Sequence, residues 1–266
     1  MANRLSLEQR AFYDQNGYVV VRGVLSAEES AGYRQELHDL AQRLQKIRDI
    51  DATWQSVRGD VRGEKKTSIL HCHDVQFQSA AFARLIVDPR ITGLAQSIIG
   101  PNVQLHHTKM FIKPPENGSP FPMHQDYPYF PHQRHSMIAA ILYFDDCPIE
   151  KGCFRVVPGS HKLGPLQHIC TGDHHLPDGQ WKIEDATPLP GKAGDVILFS
   201  YLTIHGSGRN VSHEARTTLL MQMRDPTDPP LLKTHESRGQ GMMLAGVDPS
   251  CCTTQTVDNK ELTLSM

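Results

Sequence analysis

Residues 103–112 read Val103-Gln104-Leu105-His106-His107-Thr108-Lys109-Met110-Phe111-Ile112, and the fold turns on how that stretch is taken. Val103, Leu105, His107, Lys109 and Phe111 alternate with Gln104, His106, Thr108, Met110 and Ile112, a period of two that belongs to a strand. Further short apolar runs follow at 137–144, 153–157, 195–203 and 217–223. Loops such as Pro114-Pro115-Glu116-Asn117-Gly118 and Pro158-Gly159-Ser160 separate them. Short strands with turn signals and no intervening helices predict an antiparallel sandwich or jelly roll.

Upstream of this stretch the texture is helical. Ser6 precedes a helical segment to about Gln15, with Gly17 placed to end it, and Tyr18-Val19-Val20-Val21 reads as a β-branched strand. Ser26 and Glu29 fit a capping box. The helix they open carries Tyr33, Leu37, Leu40, Leu44 and Ile47 as a core stripe. A second helical region is expected over 84–99, stopped at Gly100-Pro101. The expected architecture is mainly β with flanking α-helices, one domain over 1–266. Within it lie a helical region to about residue 100, a jelly-roll core over about 101–225 and an extension over 226–266.

Composition narrows the function. With 27 Lys+Arg against 29 Asp+Glu the net charge is −2, which provides no global field for a nucleic acid. No window approaches the 18 or so apolar residues of a membrane span, and the opening residues lack the apolar stretch of a signal peptide. Six scattered cysteines without a C-x-x-C pair fit free thiols in a reducing cytosol, and Leu264-Ser265-Met266 is not the S-K-L address. The expectation is a cytoplasmic protein with a small-molecule substrate, no nucleic-acid partner and no membrane, its oligomeric state left open. The 15 histidines are the unusual count, and histidine is the commonest metal ligand.

His124-Gln125-Asp126 places an imidazole and a carboxylate at i and i+2, on one side of an extended chain. Alone, such a pair is more often structural than metal-binding. Together with a distant histidine it makes the two-histidine, one-carboxylate set of non-haem iron oxygenases, which leaves open positions for co-substrate and O2. The candidate third ligand is His205, 79 residues beyond Asp126, closing the apolar run 196–204. Arg216 opens the next strand, and a hairpin through Asn210 and Ser212 is expected to set it alongside Thr203 and His205. A buried guanidinium is costly unless it meets an anion, and its planar fork suits a carboxylate.

At this point the sequence resembles the phytanoyl-CoA dioxygenase (PhyH) family. The spacing His124-x-Asp126…His205…Arg216 carries the resemblance, with Gly152-Cys153-Phe154-Arg155-Val156-Val157-Pro158-Gly159-Ser160-His161-Lys162 and His205-Gly206-Ser207-Gly208. So do Leu70-His71-Cys72-His73-Asp74-Val75-Gln76-Phe77 and the opening Gly17-Tyr18-Val19-Val20. The resemblance implies a double-stranded β-helix (jelly-roll) core and the cofactors Fe(II), 2-oxoglutarate and O2. It implies that His124, Asp126 and His205 hold the iron and that Arg216 and Ser207 take the distal carboxylate of 2-oxoglutarate, with Thr203 a further donor. Lys109 stands where some relatives line the co-substrate pocket, and either reaches a carboxylate or turns to solvent. Lys65 or Lys66 matches another co-substrate contact. Leu142 occupies a co-substrate-pocket site that is often Trp in acyl-CoA-acting relatives, which puts that substrate in doubt.

The implied reaction is decarboxylation of 2-oxoglutarate to succinate and CO2, coupled to oxidation of an unactivated C–H bond in a small metabolite. Hydroxylation is the default; desaturation, epoxidation, ring rearrangement and acyl-CoA 2-hydroxylation are the alternatives. Asp126 argues against halogenation, because halogenases of this type lack that carboxylate. Tyr127, Tyr129, Phe130 and Trp181 are expected as substrate contacts or as edge packing, and loop 162–190 as a lid. His71 and His73 are expected to line the pocket, while His106 and His107, as strand neighbours, are expected to point opposite ways. A cupin is disfavoured because His71-x-His73 precedes the β-rich region, and a non-catalytic metabolite-binding relative is the competing class.

Overall fold

The computed structural model describes residues 3–47, 53–55, 68–115, 120–170, 174–177 and 179–252. Lys65, Lys66 and Gly172 lie outside them. The chain opens with α1 (Leu7–Asn16), β1 (Tyr18–Val21) and α2 (Ala27–Ile47). Local chemistry sets these bounds. Ser6 caps α1 by accepting from the Gln9 N–H at 3.1 Å while the Gln9 side chain accepts from the Ser6 N–H at 2.9 Å. Gly17, at φ 78°, ends the helix in the left-handed region. Ser26 and Glu29 make the same reciprocal pair before α2, at 3.1 and 2.8 Å.

The second helical region is two helices, α3 (Ala80–Leu85) and α4 (Pro89–Ile99). Proline has no N–H to continue α3 but is well placed as the first residue of a new helix. Asp88 caps that helix by accepting from the Arg90 N–H at 2.8 Å.

The described residues continue with β2 (Thr53–Gln55), β3 (Ser68–His73), β4 (Val103–Lys113), β5 (Phe121–His124), β6 (Ile138–Tyr143), β7 (Phe154–Val156), β8 (Thr187–Leu189), β9 (Val196–Ser200), β10 (His205–Ser207) and β11 (Arg216–Arg224). With β12 (Met243–Ala245) they form an eight-stranded sheet, β1-β9-β6-β11-β4-β3-β2 with β12 also on β4, and a four-stranded sheet, β5-β10-β7-β8. Every recorded pairing is antiparallel. The jelly roll is as expected, but its boundary is not. β1 and β3 bring residues from the nominally helical first hundred into the large sheet, and β12 adds one from the extension. His71 and His73 therefore sit on a sheet strand, not ahead of the β region.

Alternation along each strand sorts residues between two layers. Ala140 and Leu142 of β6, Val196 and Leu198 of β9, and Leu219 and Met221 of β11 pack with Leu37 and Leu40 of α2, Phe82 of α3 and Ile91 of α4. Their neighbours Ile141, Tyr143, Ile197 and Phe199 turn the other way, against Phe154 and Val156 of the small sheet. Each fully buried aliphatic or aromatic side chain here contributes about 1.5–3 kcal/mol. Among the described residues no helix is long and apolar enough to cross a membrane.

Strand β4 breaks its own alternation. Gln222 of β11 faces His107, but the next residue, Met223, faces Leu105, so His106 is an extra residue, a β-bulge. Val103 and Leu105 consequently pack under the helices, as do Met110 and Ile112, whereas His107, Lys109 and Phe111 line a cavity between the sheets. The uninterrupted period of two read from the sequence fails at this residue.

Gly17 joins α1 to the end of β9 and the turn that leads on to β10. Its carbonyl accepts from the Thr203 hydroxyl at 2.7 Å and from the Ser200 N–H at 2.9 Å. A Cβ there would stand 2.4 Å from His161 Nδ1 and 2.6 Å from Thr203 Oγ1. Gly17→Ala is expected to cost about 1–3 kcal/mol of stability, read as a lower Tm. Gly32→Ala, in α2 with open space around its Cβ, is expected to be neutral or to stabilise by up to about 1 kcal/mol.

Candidate active site

His124 ends β5 and His205 begins β10, and the two are register partners across that pair. Asp126 follows in the turn, where its N–H and that of Tyr127 both donate to the Tyr201 carbonyl, at 2.9 and 3.2 Å. Between them the Gln125 side chain is fully buried. It donates to the carbonyls of Leu202 and Gly164 at 2.7 and 2.9 Å and accepts from the Leu166 N–H at 2.9 Å. This amide fixes the turn that carries Asp126.

The three side chains converge. Nε2 of His124 and Nε2 of His205 lie 3.6 and 3.5 Å from Asp126 Oδ1, and one ligand atom from each residue falls within 4.8 Å of the others. The outer atoms are already engaged. Nδ1 of His124 meets the Pro122 carbonyl at 2.7 Å and Nδ1 of His205 meets the Thr203 carbonyl at 2.9 Å. A carbonyl only accepts, so each Nδ1 carries the proton and each Nε2 offers its lone pair. Asp126 Oδ2 accepts from Gln222 Nε2 at 2.5 Å, leaving Oδ1 toward the histidines. The donor set, two imidazole nitrogens and one carboxylate oxygen, fits Fe(II).

Electrostatics follow from burial. Burial raises the Asp126 carboxyl, but the rings of His205 and His124 and the Gln222 hydrogen bond outweigh it, and the group sits below its ordinary value. His205 is pushed down to about 4, by burial first and then by His124, against the pull of Asp126. Both states are those a metal requires, a carboxylate and a neutral imidazole.

Arg216 is not joined to His205 through a hairpin. β11 pairs with β4 and β6 in the large sheet, while β10 belongs to the small one. The two residues face the same cavity from opposite sheets. Arg216 is 5% exposed; its guanidinium donates to the Gly152 carbonyl and its Nε has no partner. Its register partner on β4 is Lys113, fully buried, whose ammonium donates to Ser207 Oγ at 2.8 Å and to the Gly208 carbonyl at 2.6 Å. Burial and the neighbouring Arg216 drive the lysine pKa well down. Among the described residues no carboxylate pairs with either cation. An orphaned guanidinium nitrogen beside a second buried cation fits the carboxylate of a bound dianion.

A cavity of about 320 Å³ contains His124, Asp126, His205, Ser207, Arg216 and Lys109 in its lining. Of the expected substrate contacts, His73, Tyr129 and Phe130 line it too, as does His71. Four expected residues are elsewhere. Thr203 spends its hydroxyl on Gly17, because β9 stops at Ser200 and the turn reverses its side chain. Leu142 points to the helical layer, so its identity says nothing about the cavity. Tyr127 packs on Tyr201 and His135, and Trp181 packs with Met123, Leu176 and Ile204. For these two, edge packing is the role observed.

Three contributors escaped the sequence reading. Gln222 stands at i+6 from Arg216 on one strand, and that shared face was the available signal. Lys113 shares the face of Lys109 and Phe111 at period two and was readable on that ground. His235 gave no signal, since it sits in a loop more than a hundred residues from its neighbours in space. His106 and His107, expected to diverge, are brought together by the bulge, their Nδ1 atoms 2.7 Å apart.

An antiparallel jelly roll with this donor set defines a class, the Fe(II)- and 2-oxoglutarate-dependent oxygenases. The sequence pattern of the phytanoyl-CoA dioxygenase (PhyH) family matches residues 13–218, and the chain belongs to that family. Peroxisomal phytanoyl-CoA dioxygenase of Bos taurus is 32% identical over 248 residues, covering 84% of this chain and 69% of its own. The epimerase SnoN, solved with Fe3+, alpha ketoglutarate and nogalamycin RO, superposes at TM-score 0.69 and 26% identity over 91% of this chain and 96% of its own. EctD from S. alaskensis, solved with 2-oxoglutarate and 5-hydroxyectoine, shares the fold at TM-score 0.69 and 22% identity over 91% and 83%. The protein is a dioxygenase that uses Fe(II), 2-oxoglutarate and O2.

Gln222 holds Asp126 from behind, and such outer partners typically govern metal affinity by 10–100-fold. Gln222→Leu is therefore expected to weaken Fe(II) or Co(II) binding by roughly that factor. Competition against a chromophoric chelator measures it.

Proposed function

We propose that His124, Asp126 and His205 hold the iron, that Arg216, assisted by Ser207 and Lys113, takes the distal carboxylate of 2-oxoglutarate, and that the enzyme hydroxylates a C–H bond of a small free metabolite. The observation that carries this reading is the convergence of three candidate ligand atoms whose outer partners are all in place. Bound iron with 2-oxoglutarate supplies the oxidising power, through decarboxylation to succinate and CO2. The chain supplies position and dryness. Pro122 and Thr203 orient the two imidazoles, and Gln222 turns the carboxylate. Arg216 and Lys113 from the large sheet, with Ser207 from the small one, set the co-substrate's direction. Ile141, Tyr143, Phe154 and Leu220 wall that end of the cavity with apolar surface that excludes water. Tyr143 is kept inert there, its hydroxyl donating to the Leu189 carbonyl at 3.1 Å and accepting from the Phe154 N–H at 3.0 Å.

The cavity's size supports a small substrate. About 320 Å³ has to hold the co-substrate as well, and its remaining wall carries His71, His73, His107, Tyr129, Phe130, His174 and His235. Imidazoles and aromatic faces suit a compact, hydroxylated or cyclic molecule better than a long alkyl chain. The likeness to SnoN, an epimerase from nogalamycin biosynthesis solved with nogalamycin RO, favours a biosynthetic intermediate and keeps rearrangement-type outcomes beside hydroxylation. The resemblance to phytanoyl-CoA dioxygenases keeps acyl-CoA 2-hydroxylation as the contrasting reading. We place residues 1–266 in one dioxygenase domain acting in the cytoplasm.

Succinate release on addition of Fe(II), 2-oxoglutarate and O2 tests this, with cyclic or hydroxylated metabolites in one arm and acyl-CoA thioesters in the other. Stimulation by the thioesters alone would overturn the small-metabolite reading. No succinate with any substrate, despite bound iron, would favour a metabolite-binding role. His205→Ala is expected to abolish iron binding and turnover. Arg216→Ala, which removes a charge-assisted clamp, is expected to raise the KM for 2-oxoglutarate about 10- to 100-fold with a smaller change in kcat.

A further inference from the structure

We propose that His73, His107 and His235 form a second transition-metal site, of the zinc, copper(II) or nickel class, whose open positions face the cavity. The assignment stands apart from the iron site and shares no ligand with it. Among the described residues these three are the one other group, besides His124, Asp126 and His205, whose ligand atoms all lie within 4.8 Å of one another. The ring centroids are 5.7 Å apart for His73–His107, 5.1 Å for His73–His235 and 4.5 Å for His107–His235. Three neutral imidazoles with a free side toward solvent or substrate are the donor set of open zinc sites. An all-nitrogen set selects against magnesium and calcium.

The surroundings are built to hold these rings in place. His107 is 3% exposed, and its Nδ1 is taken by Nδ1 of His106 at 2.7 Å, so Nε2 is the nitrogen left to a metal. That is the outer-partner arrangement seen in the first site, achieved here through the bulge at His106. His235 is held in the left-handed region at φ 51°, uncommon for a residue with a Cβ. Its loop is tied down on both sides. Thr234 donates to the Tyr129 carbonyl at 2.7 Å, and Ser237 donates to Asp74 Oδ1 at 2.6 Å. Asp74 also accepts from the Arg238 N–H at 3.2 Å and is itself left-handed, at φ 56°. The residue next to His73 thus clamps the loop that carries His235. Two unusual backbone conformations and three hydrogen bonds are directed at bringing one loop histidine onto two strand histidines.

Cobalt(II) titration of the metal-free full chain tests the assignment. Wild type is expected to take up two equivalents, one of them with the intense visible band of four-coordinate cobalt. His73→Gln and His235→Gln are each expected to bind one equivalent and lose that band. Both replacements are at half-buried, cavity-lining positions, and far-ultraviolet circular dichroism verifies folding; if one variant fails to fold, the other decides. His124→Ala is expected to bind one equivalent and keep the band. Uptake of a single equivalent by wild type, retention of the band by a folded His73→Gln or His235→Gln chain, or its loss in His124→Ala would overturn the second site. Failure of the iron assignment would appear separately, as two equivalents retained in His124→Ala.

Discussion

An ionised carboxylate buried between two imidazoles is the constraint around which this molecule is organised. Asp126 is 8% exposed and takes a net downward shift in pKa because two rings and one amide face it. Left unpartnered, such a group costs several kcal/mol. The partners come from three places: β5, the start of β10 and, from the other sheet, Gln222 on β11. The two sheets therefore have to close at this point in one register. The Gln125 amide, which spans Gly164, Leu166 and Leu202, keeps the turn from drifting.

The same logic governs the other end of the cavity. Arg216 and Lys113 are neighbours in register on adjoining strands, buried, and supplied only with carbonyl and hydroxyl acceptors. Two buried basic groups with no carboxylate partner among the described residues are informative because Arg216 lines the cavity and Lys113 donates to Ser207, which lines it too. In the proposed reading a dicarboxylate completes this place, and its charge offsets the cost of burying the two basic side chains.

Much of this was legible in the sequence, because it depended on local chemistry. Ser6, Gly17, and Ser26 with Glu29 announced their caps; alternation announced β4, and short apolar runs announced β6, β9 and β11. His124, Asp126, His205 and Arg216 were visible through spacing and through motifs around them. The helix break at Asp88-Pro89 was also written locally and was passed over because the apolar pattern continues through it. What escaped depended on distance or on phase. Thr203 was assigned to the wrong side because the strand ends three residues before it. Leu142 was assigned to the cavity although its face belongs to the helical layer. The approach of His235 to His73 and His107 is a tertiary event with no local signature.

The bulge at His106 makes substitution and deletion unequal in β4. Side-chain direction along a strand behaves like a reading frame of two, and the extra residue is a frameshift that the bulge absorbs. Up to Leu105 the odd-numbered residues are read by the helices; from His107 onward the odd-numbered residues are read by the cavity. Exchanging His106 for another residue alters its contacts with His107, Phe130, His132 and His235. Deleting His106 itself would leave a regular ladder with Leu105 still toward the helices and His107 still toward the cavity, whereas deleting a single residue on either side of the bulge would set one of the two segments against the wrong layer.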